Sequence, residues 1–104
     1  NGLGKVVIVD VNMEYFAVVG DNLMKFANDN KFEGIIVNGY VRDTVTTKEF
    51  DIGLVAKGTC PRKYIPVQDG KINVPLVIDG IEINSGDYVY VDPDGIVICK
   101  EKLV

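Results

Sequence analysis

KVVIVD, residues 5–10, contains four consecutive β-branched residues at positions 6–9. An unbroken apolar run of this kind is typical of a strand buried on both faces, as in a parallel sheet. Ile35–Val37 forms a second such run, directly after Gly34. Between the two runs, the pattern of residues 21–31 predicts a helix that ends before Gly34. Strand, helix and strand in this order predict a βαβ unit with parallel strands.

The predicted helix has a recognisable start and an amphipathic spacing. Gly20-Asp21-Asn22 provides the small and polar residues that commonly precede or begin a helix. Leu23, Phe26, Ala27 and Asn30 then follow three and four positions apart, which is helical spacing.

The second half of the chain reads as a β meander. Asp79-Gly80 and Asp92–Gly95 are turn signals between short apolar runs, and a further strand is predicted over Gly53–Gly58. Asn38–Asp43 is interpreted as a turn that leads into a polar stretch, Thr44–Phe50 as a short helix and Thr59–Gln68 as a loop. The prediction is therefore a single α/β domain over residues 1–104, with a βαβ unit in front and a β meander behind.

Composition excludes several classes of function. The 104 residues are 47% hydrophobic and 25% charged, as in a globular protein, and the net charge is −4 with a pI near 4.7. Such an acidic chain is a poor ligand for nucleic acid or an anionic membrane, and no membrane span or signal peptide is expected. The absence of His excludes Ser-His and Cys-His catalysis and His-ligated metal sites.

Two cysteines do not make a disulfide framework. Cys99 ends an apolar run and is interpreted as a core residue, whereas Cys60 precedes Pro61 and is interpreted as a free thiol in a loop. Both are expected to be reduced, which predicts a cytoplasmic protein.

The first candidate site is Gly20-Asp21-Asn22-Leu23, at the start of the predicted helix. Backbone N–H groups there are free to bind a small carboxylate or phosphate. The alternative is that Asp21 only caps the helix or stabilises its first turn.

The second candidate is Arg42-Asp43, which follows the second strand of the βαβ unit. Ligands bind beyond the carboxyl ends of strands in open parallel sheets, and the helix start lies at the same edge. Asp21 and Arg42-Asp43 are therefore expected to face one crevice. Two carboxylates and a guanidinium could hold a hard divalent ion together with an oxyanion, and the alternative is a surface ion pair. The basic cluster at Pro61–Tyr64 is either a flap over an anion or a solvated loop.

Several motifs, in order along nearly the whole chain, resemble one family. They are Gly20–Leu23, Phe32–Asp43, Phe50–Gly53, Gly58–Lys63, Asn73–Pro75, Ser85–Asp87 and Asp92–Val97. The family comprises the regulator of ribonuclease activity A and the related 4-hydroxy-4-methyl-2-oxoglutarate aldolases.

The resemblance implies a swivelling β/β/α domain that assembles as a trimer or a dimer of trimers. An Asp followed by twenty residues and then Arg-Asp marks the aldolases, and Asp21 and Arg42-Asp43 match that pattern. By similarity, Asp43 holds Mg²⁺ or Mn²⁺ and Asp21 supports its water shell. Arg42 contacts the keto and enolate oxygen, and the amides of Gly20, Asp21, Asn22 and Leu23 hold the pyruvate carboxylate.

Two alternatives to a catalytic protein remain. The family usually has an acidic residue three positions after the aspartate of Arg-Asp, and Thr46 stands there. The chain also resembles only the C-terminal part of the family. These features favour either a non-catalytic regulator that binds a ribonuclease or another protein, or a fragment without activity.

Overall fold

The structure, a computed structural model, describes residues 2–11, 17–43, 50, 52–61, 73–92 and 94–103, with the backbone alone at positions 18, 21 and 22. Contacts divide the chain into two compact units, Asn1–Pro66 and Val67–Val104. The predicted helix at 44–50 and most of the predicted loop at 59–68 lie outside the described residues. In the described part of the chain, no helix is both long and apolar enough to cross a membrane.

A parallel sheet forms the first unit. Its strands are β1 (Val6–Asp10), β2 (Ala17–Val19), β3 (Gly34–Val41) and β4 (Gly53–Thr59), with β3 in the centre. β4 pairs along one side of β3, while β1 pairs with its first half and β2 with its second half on the other side. The predicted parallel pairing of β1 with β3 is confirmed. The structure adds β2, which was not predicted, so α1 (Asp21–Asp29) connects β2 to β3.

β3 is longer than predicted. Asn38-Gly39 was expected to turn the chain, yet the strand continues to Val41. Tyr40 pairs with Ala17 of β2 and with Gly58 of β4. Pairing on both sides therefore outweighs the local turn preference of Asn-Gly, and it places Arg42 directly after a fully supported strand.

The core lies between α1 and one face of the sheet. Met24 and Ala27 of the helix are buried against sheet residues, which are Val19, Ile35, Val37 and Val41. Leu23 and Phe26 are 41% and 61% exposed, so two apolar residues of the predicted pattern lie on the outer side of α1. The helix ends at Asn30, whose side-chain Nδ2 donates to Phe26 O at 2.8 Å, followed by Lys31 at φ 66°.

The two cysteines differ from the prediction. Cys60 is buried at 1% exposure, and its backbone N–H donates to Val41 O at 2.9 Å. Cys99 is only half-buried, in a two-stranded hairpin. Cys60 is buried because β4 carries it to the end of the central strand, which its neighbour Pro61 does not reveal.

The second unit contains two hairpins. β5 (Leu76–Ile78) pairs with β6 (Ile81–Ile83), and β7 (Tyr88–Asp92) pairs with β8 (Gly95–Cys99). Asp79 and Gly80 have φ of 52° and 80°, and positive φ at both central residues identifies the expected primed turn. The predicted strands and turns are thus present, but the described residues form two separate two-stranded sheets in place of one meander.

Candidate functional site

The end of β3 and the start of α1 meet at one edge of the sheet. The Arg42 N–H donates to Val19 O at 2.9 Å, and Val19 is the last residue of β2. Gly20 follows as the N-cap of α1, and its carbonyl accepts the first helical hydrogen bond, from the Met24 N–H at 3.1 Å. Parallel pairing therefore brings residues 20 and 42 together, although 21 positions separate them in sequence.

The side chains of Arg42 and Asp43 lie against Gly20. A Cβ atom at Gly20 would be 2.8 Å from Asp43 Oδ2 and 3.1 Å from Arg42 Nε. The structure thus places Gly20, Arg42 and Asp43 side by side, and the crevice expected between Asp21 and Arg42-Asp43 stays a prediction. Asp21 is the first residue of α1, as predicted, but its carboxylate lies outside what the structure describes, as does the Asn22 side chain.

Backbone N–H groups in the first turn of α1 provide the third component. The N–H groups of residues 21–23 precede the first helical hydrogen bond, which Met24 donates, so they have no acceptor within the helix. Together with the helix dipole they favour an anion. The guanidinium of Arg42 adds a positive charge with planar donors at the same place.

Arg42 and Asp43 form a loose ionic contact. Arg42 Nε and Asp43 Oδ2 are 3.8 Å apart, beyond hydrogen-bond distance, and both side chains are 37% exposed. An ion pair with this exposure contributes little to stability. Both side chains are therefore partly exposed to solvent at this edge of the sheet.

Asp43 also has an unusual backbone conformation. Its φ is 58°, in the left-handed region that costs a non-glycine residue about 1 kcal/mol or more. Asp tolerates this region better than most residues. Backbone conformations with a local cost of this kind are concentrated at functional sites.

The donor set is compatible with a hard divalent cation. Mg²⁺ binds through one or two carboxylates and keeps several waters or substrate oxygens, so it does not need a protein cage. Asp43 offers one half-exposed carboxylate of this kind. Among the described residues, no group of three or more His, Cys, Asp or Glu could enclose a metal ion. The half-exposed Asp43 carboxylate fits a cation that would also bind water or substrate oxygens.

Sequence reasoning found Arg42-Asp43 but missed two features that position it. One is the space left by Gly20, which no local pattern reveals. The other is the hydrogen bond from Cys60 N to Val41 O, which ties the end of β4 to the residue before Arg42. The outcome for the basic cluster at Pro61–Tyr64 lies outside the described residues, apart from the exposed Pro61.

A groove of about 450 Å³ in the second unit is a weaker candidate. It lies on the β7–β8 hairpin and is lined by Tyr90–Asp92 and Asp94–Val97. Its Asp92 carboxylate already accepts the N–H groups of Asp94 and Gly95, at 2.8 and 3.0 Å. That carboxylate therefore serves the turn, and none of the predicted site residues lines the groove.

The known proteins that resemble this chain belong to one family, but their names describe different activities. A Bacillus cereus protein named "Putative 4-hydroxy-4-methyl-2-oxoglutarate aldolase" is 43% identical over 101 residues, covering 96% of this chain and 64% of the relative. The solved structure of the RNA-processing inhibitor RraA from Thermus thermophilis has a TM-score of 0.90 at 34% identity, covering 96% of this chain and 62% of that one.

A second solved structure is titled as an S-adenosylmethionine: 2-dimethylmenaquinone methyltransferase from Geobacillus kaustophilus. It has a TM-score of 0.92 at 33% identity, covering 99% of this chain and 65% of that one. This chain thus spans slightly less than two thirds of the relatives it matches. The family model described as Aldolase/RraA matches residues 1–98. With this match over nearly all of its length and the same mixed α/β fold as the solved relatives, the chain belongs to the RraA-like family.

Proposed function

We propose that this chain carries the site of a divalent-metal-dependent class II aldolase. Its substrates are of the 4-hydroxy-4-methyl-2-oxoglutarate type, which it cleaves to pyruvate, and it also decarboxylates oxaloacetate. The observation that supports this most is the position of the Arg42 and Asp43 side chains against Gly20, at the start of α1. An anion-binding helix end, a guanidinium and a carboxylate are the groups that a 2-oxo acid and a cation need.

Each component has a role toward a 2-oxo acid. The first-turn amides and the Arg42 guanidinium bind the carboxylate and the 2-oxo group, which orients the substrate. Asp43 would hold a Mg²⁺ or Mn²⁺ ion, with Asp21 supporting its water shell, and the ion would supply a Lewis acid for the 2-oxo group. A lysine Schiff base is not required.

Cleavage breaks the C3–C4 bond of the substrate. The 4-hydroxyl passes its proton to solvent water and becomes the carbonyl of one pyruvate, while the bonding electrons remain on C3 as the enolate of a second pyruvate. Arg42 donates hydrogen bonds to the developing enolate oxygen, and the enolate then takes up a proton at C3. Oxaloacetate reaches the same pyruvate enolate when its C3–carboxylate bond breaks and CO₂ leaves.

A pyruvate-release assay tests this proposal. Oxaloacetate and 4-hydroxy-4-methyl-2-oxoglutarate are supplied with Mg²⁺, with Mn²⁺ and with excess chelator. We expect release that depends on the cation and is lost in Asp43→Asn. Asp29→Asn is the matched control, because Asp29 is an exposed helix carboxylate paired with Lys25 at 2.8 Å, outside the site. Chelator-insensitive release, or full activity in Asp43→Asn, would contradict the metal assignment.

A second candidate function is that of a non-catalytic regulator that binds another protein, such as a ribonuclease. Exposed Leu23 and Phe26 on the outer side of α1 favour it, because they offer apolar contacts at the surface. A folded chain that releases no pyruvate under any of these conditions would support the regulator, or a fragment without activity.

Self-association is part of the same proposal. The second unit exposes apolar side chains on both hairpins, which include Val77, Ile81, Val91 and Val97. Contact between copies would bury these exposed apolar side chains, which supports the proposal of a homo-oligomer, either a trimer or a dimer of trimers. Light scattering at micromolar concentration distinguishes these states from a monomer.

A further inference from the structure

Gly20 occupies a position where glycine is acceptable but is not the best local choice. It is the N-cap of α1, where Ser, Thr, Asp and Asn stabilise a helix through a side-chain hydrogen bond that glycine cannot make. Its φ of −130° and ψ of −165° describe extended backbone that any residue adopts. Neither the capping requirement nor the backbone conformation therefore calls for glycine.

Space explains it. A Cβ at Gly20 would be 2.8 Å from Asp43 Oδ2, closer than real Cβ contacts, and 3.1 Å and 3.5 Å from Arg42 Nε and Cγ. The backbone cannot easily yield, because the Arg42 N–H is bonded to Val19 O at 2.9 Å. The Asp43 carboxylate and the Arg42 side chain would have to move instead.

We propose that Gly20 is a positioning residue of this site. Its missing side chain keeps the Asp43 carboxylate and the Arg42 guanidinium against the first turn of α1, where one chelated anion can contact all three groups. This inference rests on the proposed function for the identity of the ligand. The contact between positions 20 and 43, however, can be measured without any activity.

Capping and clearance predict opposite results for serine. If Gly20 mattered only as a cap, Gly20→Ser would stabilise the protein and Gly20→Ala would destabilise it. If the empty space matters, both variants displace the carboxylate, and Ser is no better than Ala because it is larger. Gly53→Ala is the matched control, because a Cβ there meets Glu33 O at an ordinary 3.7 Å.

The experiment measures Mn²⁺ affinity by electron paramagnetic resonance and the kcat and KM for oxaloacetate. In Gly20→Ala and Gly20→Ser we expect about tenfold weaker Mn²⁺ binding, and kcat lower by up to about 10²-fold, the loss typical of a misplacement near 1 Å. Gly53→Ala should match the parent chain in both measurements. Parent-like Mn²⁺ affinity and kcat in Gly20→Ser would overturn the proposal while leaving the proposed function standing.

A double-mutant cycle tests the contact between positions 20 and 43 separately from the proposed function. Asp43→Gly removes the carboxylate and tolerates the positive φ, so adding Gly20→Ala should lower the Tm less in this background than in the parent chain. Equal Tm changes in both backgrounds would overturn the clearance argument. If the changes are unequal but the parent chain neither binds Mn²⁺ nor releases pyruvate, the proposed function fails and the role of Gly20 in placing Asp43 stands.

Discussion

Arg42→Lys is the substitution that separates catalysis from stability most sharply. The stem of Arg42 passes Gly20, with Nε 3.1 Å from where a Cβ of Gly20 would lie, and the side chain is 37% exposed. Lysine keeps the positive charge but replaces the planar set of donors with a compact ammonium. Arg42→Lys would therefore remove the directed hydrogen bonds that the proposed mechanism assigns to Arg42, and it leaves the net charge unchanged.

The two expected magnitudes differ widely. Loss of a hydrogen bond to a developing oxyanion typically costs about 3–4 kcal/mol of transition-state stabilisation, or roughly 10²–10³ in turnover. The free energy of unfolding should change by less than about 1 kcal/mol, because the contact with Asp43 spans 3.8 Å between half-exposed groups. The bond from Arg42 N to Val19 O involves only backbone and is retained.

The assay is magnesium-stimulated pyruvate release from oxaloacetate, measured beside urea unfolding. Lys25→Ala is the control, since it removes another cation that pairs with a carboxylate, at 2.8 Å on the surface of α1. It should leave turnover unchanged. Arg42→Lys with parent-like turnover would refute the role of the guanidinium, and an equal loss of turnover and stability would show that Arg42 acts through the fold.

Three further outcomes are expected. Asp43→Asn should lose its response to Mg²⁺ with an unchanged urea midpoint, whereas Asp43→Ala should also lose about 1 kcal/mol of unfolding free energy, because Ala tolerates a φ of 58° poorly. Met24→Ala should cost about 2–5 kcal/mol in urea unfolding, because Met24 is fully buried in the core, and turnover per folded molecule should be unchanged. The hydrogen bond from Lys100, with that from the Asn84 N–H, lowers the pKa of Asp87 from 3.8. A carboxyl group with a lowered pKa in the folded state adds stability above its unfolded pKa, and this stability is lost as pH falls through the folded pKa. In Asp87→Asn, the free energy of unfolding should therefore fall less steeply with decreasing pH below about pH 4.

Local sequence patterns predicted an element correctly where the burial of its residues and the backbone preference of those residues favour the same structure. Four consecutive β-branched residues in β1 and the run Ile35–Val37 in β3 indicated parallel strands, and the structure pairs Val6–Asp10 with Gly34–Asn38. Asp79-Gly80 identified its hairpin because few residues other than these tolerate positive φ. The helix start was correct to the residue at Asp21, because Gly20 interrupts the preceding apolar run.

Local patterns failed where a distant partner decided the outcome. Asn38-Gly39 has a strong turn preference, but β2 and β4 pair with Tyr40 and keep the strand straight. The spacing of Leu23, Phe26 and Ala27 predicted the helix but not its buried side, since the sheet buries Met24 and Ala27 and leaves Leu23 and Phe26 exposed. A helical pattern with apolar residues on more than one side does not state which side meets the sheet.

The sequence by itself determined β1, the start of α1, the first half of β3, most of β4 and the adjacency of Arg42 and Asp43, because strand runs, helix starts and adjacency are local properties of a chain. It also brought Arg42-Asp43 and the helix start to one edge, since parallel strands end at the same edge of a sheet. Only the tertiary structure decided how closely they approach. A Cβ at Gly20 would be 2.8 Å from Asp43 Oδ2 and 3.1 Å from Arg42 Nε. These distances depend on the positive φ of Asp43 and on the register of β2 with β3, which pairs residues far apart in the chain.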